Sequence, residues 1–187
     1  AVGYNSLVSN TTGTQNVAVG ASALDANTTA SNNTAVGYNS LGANTTGHSN
    51  TALGQGTLAL NTTGIYNTSV GKGALFENTT ANSNTALGYD ALALNTSGHS
   101  NVAVGAFSLD ANTTATQNTG VGVSSLSAVT TGSNNTGIGY QALKLVTTST
   151  NNTALGYQAL ENNTASQNTA VGSDALQANT DGDGNTA

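Results

Sequence analysis

The sequence predicts an all-β fold, a parallel β-solenoid or β-roll of about eleven coils. Three observations carry this: a seventeen-residue repeat, an apolar spacing that fits no helical face, and a chain dominated by Thr, Asn, Ala and Gly with no Pro. Asn recurs at 16, 33, 50, 67, 84, 101, 118, 135 and 152, then at 168 after one sixteen-residue copy, and again at 185. With this Asn as position 1, the unit reads N-T-A-[VLI]-G-x-x-[AST]-L-x-x-N-T-T-[GA]-x-x. The repeat makes residues 1–187 a single repeat domain, with partial copies at 1–15 and 185–187. Because both ends fall inside a repeat, the chain is expected to be a piece of a longer one.

Each element of the unit has a physical reason. Seventeen residues is too short for a helix-turn-helix repeat and shorter than a leucine-rich unit. Thr and Val favour strands, whereas Gly and Asn favour corners. Positions 1 to 5 are therefore expected to form one short strand and positions 8 to 13 a second. Corners fall at the Gly of position 5 and at the stretch running from position 15 into the next Asn.

Position 4 is always Val, Leu or Ile and position 9 always Leu. These two columns are read as the core, represented by Val36, Leu53, Val70 and Leu87 at position 4 and by Leu41, Leu58, Leu75 and Leu92 at position 9. Stacked coils bring equivalent residues about 4.8 Å apart. Asn33, Asn50, Asn67, Asn84 and Asn101 then become a ladder of side-chain amides, which explains an Asn in every copy. Lys144 and Glu161 share position 10 of adjacent copies and are expected one coil apart with opposite charge.

Two sizeable apolar side chains per coil make a thin core, each contributing about 1.5 to 3 kcal/mol when buried. Self-association is therefore expected, with the small residues of positions 3 and 8 lining the contact. Positions 6, 7, 10, 11, 16 and 17 vary freely and are expected to face solvent.

The composition removes several classes of function. A net charge of -6 with only two Lys or Arg leaves no basic face for phosphates, so nucleic acid is not an expected partner. No apolar run reaches the roughly 20 residues of a membrane helix, so membrane insertion is not expected in this segment. Absence of Cys removes disulfides and thiolate ligands.

The residues also suggest a family. "QNVAVG" at 15–20 and "SNVAVG" at 100–105 resemble the "NSVAIG"-type motif of trimeric autotransporter adhesin head domains. The repeat "NTAVGYNSL...NTTG" is similar to repeats of phage tail-fibre shafts and of tail-fibre-like bacterial surface proteins. The resemblance covers the whole chain. It implies a homotrimer of parallel β-rolls forming a stiff rod, placed outside the cell, at a cell surface or on a virion. This chain departs from adhesin heads in its longer coil, and position 2 is Val only at Val17 and Val102.

No catalytic residue and no cofactor is expected. His48 and His99 both fall at position 16 but three coils apart, about 14 Å along a stack, too far for one metal ion. Asp181 and Asp183, in "DGDG", have the alternation of a calcium loop without its closing acid, and are weak metal candidates. Neither a nucleophile with a base nor the paired carboxylates of a glycosidase is present. Asn10, Asn27, Asn44, Asn61, Asn78, Asn95 and Asn112 each begin an N-x-[ST] sequon, which an Asn/Thr repeat creates by itself.

Tyr4, Tyr38, Tyr89, Tyr140 and Tyr157 share position 6. This stripe is a surface on which a cell-surface glycan, a receptor or a second fibre could rest, or else packing over a corner. The expected function is a structural extracellular shaft or spacer. The alternative is a Thr-rich binding module, for ice or glycans, built on the Thr pairs of positions 13 and 14. A polysaccharide-cleaving β-helix would need clustered acids, and these are scattered.

Overall fold

Only positions 2 to 4 of each copy adopt extended strand geometry in the computed structural model, which describes every residue from Ala1 to Ala187. They form β1 (Val17–Val19), β2 (Thr34–Val36), β3 (Thr51–Leu53), β4 (Thr68–Val70), β5 (Thr85–Leu87), β6 (Val102–Val104), β7 (Thr119–Val121), β8 (Thr136–Ile138), β9 (Thr153–Leu155) and β10 (Thr169–Val171). The ten stack in chain order as one parallel sheet, each coil returning the chain beside its own previous strand. The molecule is thus a parallel β-solenoid with no helix. Val17, Ala18 and Val19 oppose Thr34, Ala35 and Val36, and this register continues to β10. The sixteen-residue copy does not disturb it, because Thr153 still faces Thr169. The shortening is absorbed in the corner, where Asn163 donates to the Ala165 carbonyl two residues on instead of three.

In every strand the middle residue is buried and its neighbours face outward. This corrects the expected core. Val36, Leu53 and Leu87 are 36%, 38% and 46% exposed, and Val70 is only half-buried. The reason is parity: successive strand residues point to opposite faces, so position 4 cannot share a face with the inward Asn of position 1, whereas position 3 must. Small residues at position 3, such as Ala35, Ala52 and Ala86, therefore fill the interior beside the Leu column. Leu41, Leu58, Leu75 and Leu92 are fully buried as expected.

The small residues of positions 3 and 8 consequently line the inside of the coil and no contact with another chain. Ser40 donates to the Ala52 carbonyl at 3.0 Å and Thr57 to the Gly71 carbonyl at 2.6 Å, both within the stack.

No second strand forms over positions 8 to 13; positions 6 to 11 turn instead. The position-9 leucines lie at φ between 49 and 56°, and position 7 is also left-handed, as at Asn39 (φ 54°) and Asp90 (φ 50°). Two left-handed residues two positions apart bend the chain too sharply for an extended run. Such a backbone costs an L residue roughly 1 to 2 kcal/mol. Burial of the Leu side chain and hydrogen bonds to the next coil, such as Leu41 N–H to the Thr57 carbonyl at 3.0 Å, offset it.

Gly at position 5 is required twice over. Gly54 has φ 140°, and a Cβ there would lie 2.7 Å from the Gly71 carbonyl oxygen of the next coil. Only glycine permits both the angle and the close stacking.

The Asn ladder is present. The Oδ1 of Asn33 accepts from the backbone N–H of Asn50 at 2.9 Å, and the same bond links Asn50 to Asn67, Asn67 to Asn84 and Asn84 to Asn101. A second ladder lies at position 12, where Asn44 Nδ2 donates to Asn27 Oδ1 and Asn61 Nδ2 to Asn44 Oδ1. Within one coil both amides converge on a single carbonyl: Asn33 and Asn44 each donate to Gly47 at 2.9 Å. Position 15 is small because these amides and the next coil occupy the space a larger side chain would need.

Candidate functional site

The outward face of the sheet is the largest regular surface feature. Position 4 presents Val2, Val19, Val36, Leu53, Leu87, Ile138, Leu155 and Val171 to solvent, each at least 36% exposed. Position 2 adds Thr beside it on the same face, with Val17 as an apolar exception at 49% exposure. Neither column contains a charged residue in any copy. An apolar stripe of this length exceeds the scattered exposed side chains a monomeric surface normally carries.

The position-6 tyrosines border this face beyond the Gly corner, and each is exposed. Tyr140 and Tyr157 stack with centroids 5.5 Å apart and planes 13° apart. Tyr38 has no aromatic partner at position 6 next to it, because Ala21 and Gln55 flank it. Tyr89 instead meets Phe107, from position 7 of the next coil, edge to face at 5.2 Å. The Asp90 carboxylate, drawing the phenol proton towards itself and adding its charge, raises the Tyr89 pKa above its ordinary value. The five tyrosines therefore do not act as one continuous stripe.

A concave site of about 360 Å³ opens between three successive coils beside Tyr89. Its walls include Lys72, Phe76, Tyr89 and Asp90, and its floor includes Gly56 and Gly73. Lys72 Nζ lies 5.9 Å from the centre of the Tyr89 ring. Nothing in the repeat pattern singled out this place; the signal is two consecutive glycines at position 7.

The remaining sequence candidates have structural partners. His48 packs edge to face on Tyr66 at 5.3 Å and its Nδ1 lies 3.2 Å from Ser49 Oγ. Asp183 accepts from the Ser166 N–H at 2.7 Å, the bond that Ser31 makes to Thr14 in an earlier coil. No three His, Cys, Asp or Glu side chains converge as a metal site. Lys144 and Glu161 pair at 3.9 Å across adjacent coils. The sequon residues from Asn27 to Asn112 are fully buried in the second ladder, so the folded chain offers no access to their amides.

At position 13 the Thr hydroxyls are engaged along the stack, Thr45 donating to the Thr62 carbonyl at 3.1 Å and Thr62 to Thr79 at 3.0 Å. The proton of each such hydroxyl is committed to the next coil, while its lone pairs stay available, and the position-14 hydroxyls of Thr46 and Thr63 are exposed. No family model, curated protein or solved structure matches this chain.

Proposed function

We propose that this chain is a structural shaft segment of an extracellular fibre, eleven coils long, whose copies pack side by side as a homotrimer through the outward face of the sheet. The observation that supports it is the uncharged column of Val, Leu and Ile at position 4. An apolar ladder facing water on one side of a sheet is costly unless another surface covers it. A second copy is the natural cover, since its side chains repeat at the same spacing of about 4.8 Å and meet in register at every coil.

Ten strands of three residues present a face of roughly 50 by 10 Å. That is on the order of 500 Å², below the roughly 800 Å² per partner of a standard interface, so the bordering position-6 side chains belong to the contact as well. The rod carries load through the backbone ladders and the two Asn columns, which tie each coil to the next. Placement at a cell surface or on a virion follows from the resemblance described above.

Sedimentation equilibrium with electron microscopy tests this. A threefold rod is expected, and a monodisperse monomer at micromolar concentration would overturn the reading. The position-2 Thr column beside position 4 favours a second reading, a flat face that orders water. Absence of thermal hysteresis removes it.

A further inference from the structure

Position 7 adopts the left-handed backbone in every coil, and most coils place a full side chain there. Asn5, Ser22, Asn39, Ser124 and Gln141 lie at φ between 54 and 55°, and even Phe107 is accommodated at 57°. Gly56 and Gly73, at φ 65 and 70°, occupy the same place. The backbone therefore does not require glycine at either, and what the two glycines supply is space. Because they are consecutive along the stack, the missing side chains make room for the Asp90 carboxylate and the Phe76 ring to border one continuous cleft of about 360 Å³.

What borders the space is chemically specific. Phe76 closes against Gly56, its ring carbons 3.6 Å from where a Cβ would stand. Tyr89 is held on edge by Phe107 and approached by Lys72, so it is fixed by neighbours on both sides. The Asp90 carboxylate folds over Gly73 into the volume a side chain would fill. Gln55 brings an amide to the rim. Aromatic faces, one ammonium, one carboxylate and one amide thus surround a mostly apolar hollow.

We propose that this cleft binds a neutral pyranose ring. The C–H face of a sugar is apolar and rests on aromatic carbon, while its hydroxyls both donate and accept. Asp90 accepts from a hydroxyl, Lys72 donates to one and Gln55 does either. The volume lies at the small end of the range for ligand pockets, which suits one ring and not an extended chain. One cation beside one carboxylate leaves the cleft without a net charge to select a polyanion. The site does not rest on the shaft reading, since it needs only the folded coils.

Saturation-transfer difference NMR on the whole chain, with the methyl glycosides of glucose, galactose and N-acetylglucosamine as probes, tests the proposal. A ring of this size binds with a Kd on the order of 1 to 10 mM. At least one probe is expected to show transfer concentrated on the protons of one ring face. The double variant G56N/G73N places at both positions the residue that already occupies Asn5 and Asn39, so the coils retain their backbone and Asp90 swings aside. It is expected to lower the transfer at least tenfold while circular dichroism stays unchanged. F76A, which removes one wall and adds no bulk, is expected to weaken binding about as much. No transfer from any of the three probes would overturn the proposal, as would undiminished transfer in G56N/G73N, which would place binding elsewhere, for example on the Tyr140–Tyr157 stack.

Discussion

Asn112 and Val129 occupy the same position of successive coils, and the Oδ1 of Asn112 is left buried without a donor as a result. From Asn27 to Asn112 each Nδ2 donates to the Oδ1 of the coil before it, and at Val129 and Val146 the ladder lapses into apolar packing. V129N alone supplies Asn112 with its donor but moves the orphaned oxygen one coil along, facing Val146. V129N/V146N lets the amide of Asn163 close the chain of bonds. A buried unsatisfied group costs about 1 to 3 kcal/mol. The double variant is therefore expected to be more stable than the sum of its singles by about that amount, read as the coupling in a double-mutant cycle of urea midpoints.

Leu87 and Leu92 are five residues apart and have opposite roles. Leu92 is fully buried, and L92A is expected to cost about 2 to 5 kcal/mol. Leu87 is 46% exposed, and L87A is expected to change the stability of the isolated chain by no more than about 0.5 kcal/mol. On the proposed side-by-side homotrimer, L87D should leave the coil folded and shift the sedimentation coefficient towards that of a single chain. Equal losses from L92A and L87A would return position 4 to the core.

The sequence period and the invariant Leu made the solenoid, its register and the first Asn ladder legible, because stacked coils repeat whatever the interior demands. Position 4 was misleading, since an invariant apolar column fits an outward contact as well as a core. Strand parity relative to Asn33 and Ala35 decides between them. The absence of the expected second strand was not legible, because a Leu at φ near 50° leaves no compositional mark; glycine or Asn there would have signalled the turn. Asn44 and its equivalents looked like sequons when their amides are the second ladder. Gly56 and Gly73 were visible as letters, but only the backbone angles at Asn39 and Phe107 show that their role is to leave room.

Removing a rung of the first ladder tests its contribution. Asn84 donates to the Gly98 carbonyl at 2.8 Å and accepts from the Asn101 N–H at 2.9 Å. In N84A the Gly98 carbonyl keeps the Asn95 amide, whereas the buried Asn101 N–H loses its acceptor. A loss of about 1 to 3 kcal/mol is expected in urea unfolding. N84D is expected to lose more at neutral pH, because a carboxylate cannot donate to Gly98 and carries a buried charge.

Asp110 gives the folded chain a pH dependence of definite sign. It is half-buried, its Oδ1 has no partner, and burial raises its pKa above the ordinary 3.8, with the charge of Asp90 adding to the shift and hydrogen bonds from the Asp110 and Ala111 backbone opposing it. The folded state therefore holds the Asp110 proton to higher pH than the unfolded chain does. Between the two values the unfolded state binds fewer protons, so this residue's contribution to stability is greatest below the unfolded value and declines as pH rises through the folded one. D110N removes the titrating group and keeps the shape. Its urea midpoint is expected to vary less with pH across the acid range than that of the parent, and to exceed the parent midpoint at neutral pH, where the parent must bury a charge. Midpoints that stay parallel from pH 3 to pH 7 would show that Asp110 titrates alike in both states.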